Sequence, residues 1–296
     1  MLAGYLMSRF QIMSAGSSEI LSRFVFLVSL PSLVFIKLSN VPVEEFFNWP
    51  FLGALGGGML AMFCIGLLVA RFVFPDSLTA LGLHGLTAMY SSTAYIGLPL
   101  LLLVFGDAGL VPGIIGAVIT GVLFLPIGII FGELDKGKDG RKHSLVSLFK
   151  VLRNPVLLST IAGLTVSRLG VTIPGPVSTF CELLGGAFIP CALFAAGLFI
   201  AGCSSKGAAT EIGWLVLAKL VLHPLITWWL AYHVFKLEGI LPAIAVIQAA
   251  LPSGVPVFVL AQQYNVFVTR SSAVIALSTA LSVITLSVII VILNLG

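Results

Sequence analysis

The apolar residues of this chain are gathered into long runs separated by short links, and that pattern leaves few ways to fold. The runs fall at about 1–8, 20–37, 50–74, 78–105, 109–132, 147–167, 177–202, 212–235, 240–264 and 268–294. A bilayer-crossing helix needs ~20 mostly apolar residues, so the pattern predicts ten transmembrane helices, the first of half length. Composition agrees. Charged residues make up 9% of the chain and apolar ones 59%, with a mean hydropathy of +1.16. Soluble domains carry roughly 25% charged residues, so a soluble fold would lack polar side chains to cover its surface. Disorder requires low hydrophobicity and high charge and is excluded as well. The net charge of +4 is small and confined to particular links, which argues against nucleic-acid binding. A multi-pass, all-α membrane protein remains, and the cell membrane is its expected location.

The links at 14–19, 39–45, 75–77 and 106–109 carry turn or charge chemistry. The longest polar stretch, 133–144, reads ELDKGKDGRKHS and divides the chain almost in half. Lys and Arg in short links mark the cytoplasmic side. Arg9, Arg23, Arg71, Lys136, Lys138, Arg141, Lys142, Lys150, Arg153, Lys206 and Arg270 share one side; Lys37, Arg168 and Lys236 share the other. The first side is therefore cytoplasmic and the C-terminus lies outside. The first run has no basic n-region and no small-residue cleavage site after it, so it does not read as a cleavable signal peptide.

Leu30-Pro31-Ser32-Leu33-Val34-Phe35 is echoed by Ile189-Pro190-Cys191-Ala192-Leu193-Phe194, at an offset of 159. The same offset carries runs 50–74, 78–105 and 109–132 onto the runs at 212–235, 240–264 and 268–294. The expected plan is a first repeat (1–132), a cytoplasmic linker (133–146) and a second repeat (147–296). Each repeat holds five helices. Five is odd, so the second enters the membrane inverted, a common plan of secondary transporters. Residues 20–132 should then superpose on 179–291 about an axis in the membrane plane. The offset also pairs Met1 with Thr160, mid-way along the sixth run. Helix one is therefore expected at about half the length of helix six, and a shortened chain or misread start codon explains that better than a native half-helix.

Runs four and nine, equivalent under the offset, carry Pro, Gly and hydroxyl residues at mid-depth: YSSTAYIGLP (90–99) and QAALPSGVP (248–256). Unwound backbone inside a membrane survives only where it lines a cavity or protein. A matched pair of breaks is the best sequence pointer to a transport site. The half-helices after the breaks are expected to start near Pro99 and Pro256, since Pro favours the first helical turn. Their N-terminal dipoles would present about half a positive charge each to the midplane, which suits an anion. A segment around Ser92–Pro99 and Leu251–Pro256 is expected to cross near the bilayer centre in a polar cavity between domains. The candidate substrate contacts are Ser92, Thr93, Tyr95, Pro99, Gln248, Ser253, Gly254 and Pro256.

The stretches SLPSLVF (29–35), STAYIGLPL (92–100), RNPVLLSTIAGL (153–164), IPCALFAAGL (189–198), KLVLHPL (219–225) and LPSGVPVFVLAQQYN (251–265) resemble the auxin efflux carrier family, which includes bacterial malate-permease-like proteins. The resemblance implies a ten-helix transporter with scaffold and transport domains, helices four and nine crossing at the substrate site, and organic-anion substrates. It also marks departures. Family members often have Asn where Ser92 and Pro256 stand, and the long cytoplasmic loop of plant members is reduced here to 133–146.

Lys219 and His223 lie i, i+4 inside a run. Two readings stand: a charge-balance or coupling pair, or a lysine that snorkels to the interface. His84 reads as an interhelical hydrogen bonder, Glu182 as interfacial or helix-starting, and Gln262 and Gln263 as interfacial. Cys64, Cys181, Cys191 and Cys203 show no metal-ligand spacing and read as small packing residues. No catalytic motif is present, so neither an enzyme nor a cofactor or metal is expected. A cation–proton antiporter would want midplane carboxylates, and runs 78–105, 109–132, 240–264 and 268–294 have none. The expected function is a secondary carrier for a small organic anion; a membrane receptor binding a ligand at the crossover is the alternative. The expected partners are that anion and the lipid bilayer, with a homodimer left open.

Overall fold

A computed structural model describes residues 1–13, 16–135, 153–202 and 209–293. Among them the chain is all helix, with no strand beyond one isolated β-bridge. The polar linker from 136 onward, the start of the sixth run and Lys206 lie outside the described residues.

The helices are α1 (Leu2–Arg9), α2 (Gly16–Leu38), α3 (Trp49–Phe72), α4 (Leu78–Met89), α5 (93–105), α6 (110–135), α7 (Pro155–Leu169), α8 (Gly175–Ala201), α9 (Ala209–Val234), α10 (Leu241–Ala250), α11 (Val255–Tyr264) and α12 (Val268–Ile292). Six continuous helical stretches are long and apolar enough to cross a membrane: Gly16–Leu38, Val43–Phe72, Thr93–Asp135, Gly175–Ala201, Ala209–Val234 and Val268–Ile292. The third folds back on itself at Gly106–Gly109, where Gly106 takes φ +61°. Helix α1 is 8 residues long and α7 is 15.

Local sequence explains the helix ends. Asn154 caps α7 by accepting from the Val156 N–H at 2.9 Å, Pro155 occupies its first turn, and Gly170 ends it in the left-handed region. Ser77 caps α4 through the Ala80 N–H at 3.2 Å.

Four of the prolines inside helices share one solution. A helical proline clashes with the carbonyl four residues before it and cannot donate a hydrogen bond. Before Pro31, Pro99, Pro126 and Pro224 those carbonyls belong to Leu27, Tyr95, Val122 and Leu220. Each lies within a π-turn: Val25–Ser29, Thr93–Gly97, Ile119–Phe124 and Ala218–Leu222. The wider π-turn relieves the clash without ending the helix.

The chain divides into two compact units, and both draw on both halves of the sequence. The first takes Met1–Asn48, Ala94–Val118 and Leu152–Gly202; the second takes Trp49–Thr93, Ile119–Val151 and Cys203–Gly296. In the first unit, α1 lies against α8 and α7 against α2, with Gly163 facing the Phe35 carbonyl. In the second, α3 packs on α4 where Gly66 meets Gly85, and α9 packs on α3 and α10.

Candidate functional site

Two helices of the second unit stop short. Helix α4 ends at Met89, and the backbone turns extended at Tyr90 (ψ 109°); α10 ends at Ala250, and Leu251 turns extended likewise (ψ 149°). The breaks pair with each other. Ser92 N–H donates to the Pro252 carbonyl at 2.9 Å, and Gly254 N–H donates to the Tyr90 carbonyl at 3.0 Å. Ser91 and Ser253 thus face each other in an antiparallel β-bridge. Each break supplies donors and acceptors that a membrane interior would otherwise leave bare.

Side chains complete the crossover. Ser253 Oγ donates to the Thr87 carbonyl at 2.9 Å, and its N–H donates to Ser278 Oγ of α12 at 3.2 Å. Lys219, on α9, is 0% exposed. Its Nζ lies 2.6 Å from the Ala249 carbonyl, 2.9 Å from Ser91 Oγ and 3.1 Å from His223 Nδ1. Snorkelling is therefore ruled out for this lysine. His223 is equally buried, and its Nε2 has no partner among the described residues. Thr93 Oγ1 is buried without a partner as well. Gln248 is fully buried on α10.

One expectation needs correction. The helix after the first break restarts at Thr93, not near Pro99, because the π-turn lets Pro99 ride inside a continuing helix. The crossing accordingly centres on 90–92 and 251–254. Ser92, Ser253, Gly254, Lys219 and His223 meet there, with Thr93 following directly and Pro256 in the first turn of α11. Tyr95 and Pro99 belong to the other compact unit, where the Tyr95 hydroxyl donates to the Ser22 carbonyl at 3.5 Å. Sequence reasoning missed Ser91, Thr87 and Ser278, whose hydroxyls or carbonyls hold the crossing. Ser91 stood in the quoted break, but no local signal separates it from Ser92.

A second polar cluster joins the ends of three helices in the same unit. Glu211, nearly fully buried, accepts from Arg270 at 3.1 Å and lies 3.1 Å from His84 Nδ1; Arg270 also meets Asp76 at 2.6 Å. Arg270 packs over the Phe267 ring at 4.4 Å. At Asp76, outside the helices, partial burial pushes the carboxyl up. The Arg270 guanidinium and the Ser77 N–H outweigh this and hold it below the usual range. His84 is thus an interhelical bonder, as its sequence context suggested. Glu182, Gln262 and Gln263 are exposed. Among the described residues no group of three His, Cys, Asp or Glu could hold a metal ion.

Long apolar helices, breaks paired inside one unit and a buried lysine describe a multi-pass helical membrane protein. Comparison with known proteins gives the family: residues 1–290 match the Membrane transport protein family, which is auxin efflux carrier-like, and the chain belongs to it. The “Putative malonate transporter” of Rhizobium meliloti is 32% identical over 96% of this chain and 89% of its own length. “Uncharacterized transporter YfdV” of Escherichia coli is 25% identical over 96% of this chain and 91% of its own. The “Lysosomal cholesterol signaling protein” of Mus musculus is 27% identical over 95% of this chain, which spans 35% of that protein. The chain is a membrane transport protein, and the names of its family and of its bacterial relatives indicate a transporter.

Proposed function

We propose that this chain is a secondary carrier that moves a small organic anion across the cell membrane by alternating access. Its plan is ten helices in two inverted repeats. One observation carries the reading: two helix breaks pair with each other around a buried lysine. Secondary transporters bind substrate at such discontinuous helices, and a buried cation favours an anionic ligand over a neutral one. Thr93 Oγ1 and the Ser92 side chain are the proposed contacts, because the hydroxyls of Ser91 and Ser253 are already engaged. Lys219 and His223 supply charge balance. The name of the Rhizobium meliloti relative puts dicarboxylates first among the anions to try.

Uptake by the purified chain in liposomes tests this, using malonate beside other mono- and dicarboxylates, with and without a pH gradient or a membrane potential. Ser92→Asp places a negative charge at the crossing and should abolish uptake, whereas Ser92→Asn should be tolerated. A folded Asp variant that carries malonate at the wild-type rate would sink the proposed site. The signaling name of the Mus musculus relative favours one alternative, a receptor. Saturable binding with no uptake under any gradient would select it.

A further inference from the structure

Lys219 differs from the other engaged cations in what surrounds it. Lys37 pairs with Asp107, and Arg270 with Asp76 and Glu211. Among the described residues no carboxylate pairs with Lys219. Its partners are a backbone carbonyl, a hydroxyl and an imidazole nitrogen, the neutral donor atoms that ligate a free alkali or ammonium ion. An ammonium has three N–H donors and no acceptor, so with the His223 proton on Nε2 three acceptors stand at 2.6, 2.9 and 3.1 Å.

The position has the same character. The Ala249 carbonyl belongs to the last turn of α10, where helical carbonyls lack intrahelical partners and the helix dipole is negative. Ser91 lies just past the end of α4, so a second helix also turns its negative end toward the crossing. In transporters built on broken helices, such C-terminal ends and unwound carbonyls bind the coupling cation. Here an amine from α9 stands in that place. The π-turn Ala218–Leu222 holds Lys219 in the helix, and His223, one turn on, brings its Nδ1 to 3.1 Å, an acceptor when the proton sits on Nε2.

We infer that Lys219 is a tethered monovalent cation: its ammonium fills a cation site formed by Ala249 O, Ser91 Oγ and His223 Nδ1, and so fastens the two helix breaks together. No free cation is then needed at this place. The inference stands on the crossover geometry, and its tests use no transported substrate, so they succeed or fail independently of the anion reading.

The test is chemical rescue. The full chain is purified in detergent with N-methylglucamine as the sole cation, and its thermal midpoint is compared with those of Lys219→Ala and Lys219→Met. Wild type should stay within ~1 °C when Na⁺, K⁺ or methylammonium replaces N-methylglucamine. Lys219→Ala should fall by ~5 °C or more and regain at least half of that with methylammonium, saturably. Tetramethylammonium, which has no N–H donor, should not restore it at equal ionic strength. Lys219→Met fills the space without a charge and should not respond to any of these cations. Hydrogen exchange gives a second reading that survives poor folding of the alanine variant. In Lys219→Met the Ser92 and Gly254 amides should exchange at least tenfold faster than in wild type, with the amides of α7 unchanged. A Lys219→Ala protein as stable as wild type, or one rescued equally by tetramethylammonium or by nothing, would overturn the inference. So would a Lys219→Met protein with wild-type exchange at Ser92 and Gly254.

Discussion

Gly254 has no room for a side chain. A Cβ built there would lie 2.7 Å from the Tyr90 ring and 3.2 Å from the Ser91 carbonyl. The clash falls on the ring whose own carbonyl receives the Gly254 N–H, so relief by moving Tyr90 would stretch that bond. Gly254→Ala should therefore lower the thermal midpoint by several degrees, and Tyr90→Leu in the same chain should recover part of the loss. Full stability of the single variant would show that the crossing is looser than this geometry. Glu211 makes a different residue-scale argument. Its carboxylate sits between Arg270 and His84 with almost no water access. Losing one partner of a buried pair leaves an uncompensated charge, which costs about 3–5 kcal/mol when nothing else meets it. Arg270 keeps Asp76 and is partly exposed, so Glu211→Gln should cost less, ~2 kcal/mol. A double-mutant cycle with Arg270→Gln measures the coupling; a value near zero would show the pair to be ornamental.

At the scale of the element, the π-turns tie sequence to geometry most directly. Alanine is ~3 kcal/mol better than proline in a helix interior, so propensity alone says that Pro224→Ala should stabilise α9. The structure predicts the opposite sign. Without the proline clash the turn at Ala218–Leu222 can relax to α-helical spacing, which rotates Lys219 away from Ala249 and Ser91. Pro224→Ala should lower the thermal midpoint, and a rise would refute the link between the proline and the lysine's position. The sequence already contained much of this. Apolar runs located the helices, since a bilayer demands length and hydrophobicity that nothing else explains. Gly and Pro located both breaks, because they are the residues that stop a helix. Pro99 misled, because a proline reads the same whether it starts a helix or rides a π-turn, and only the hydrogen bonding upstream tells them apart. The Lys219 contacts were out of reach for another reason. Ser91 and Ala249 are 128 and 30 residues away in sequence, and nothing local in KLVLHPL reports them.

Across the whole molecule, compact units and sequence halves are different divisions. Each unit collects segments from both halves of the sequence. The proposed inverted repeat makes a sharper demand, on the sides of the membrane. Asp107 lies in the link between α5 and α6, and the offset of 159 carries it to Val266, in the link between α11 and α12. Equivalent links of inverted repeats must face opposite compartments. Under the proposed topology, the excess of basic residues on one side would put Lys37 and Lys236 outside and Arg71 and Arg270 in the cytoplasm. With the four native cysteines replaced by serine or alanine, Asp107→Cys should react with a membrane-impermeant maleimide added to intact cells. Val266→Cys should react only after the cells are opened. A direct repeat, or one helix more or fewer between the two links, would put both cysteines on the same side, and that outcome would remove the inverted plan while leaving the paired breaks untouched.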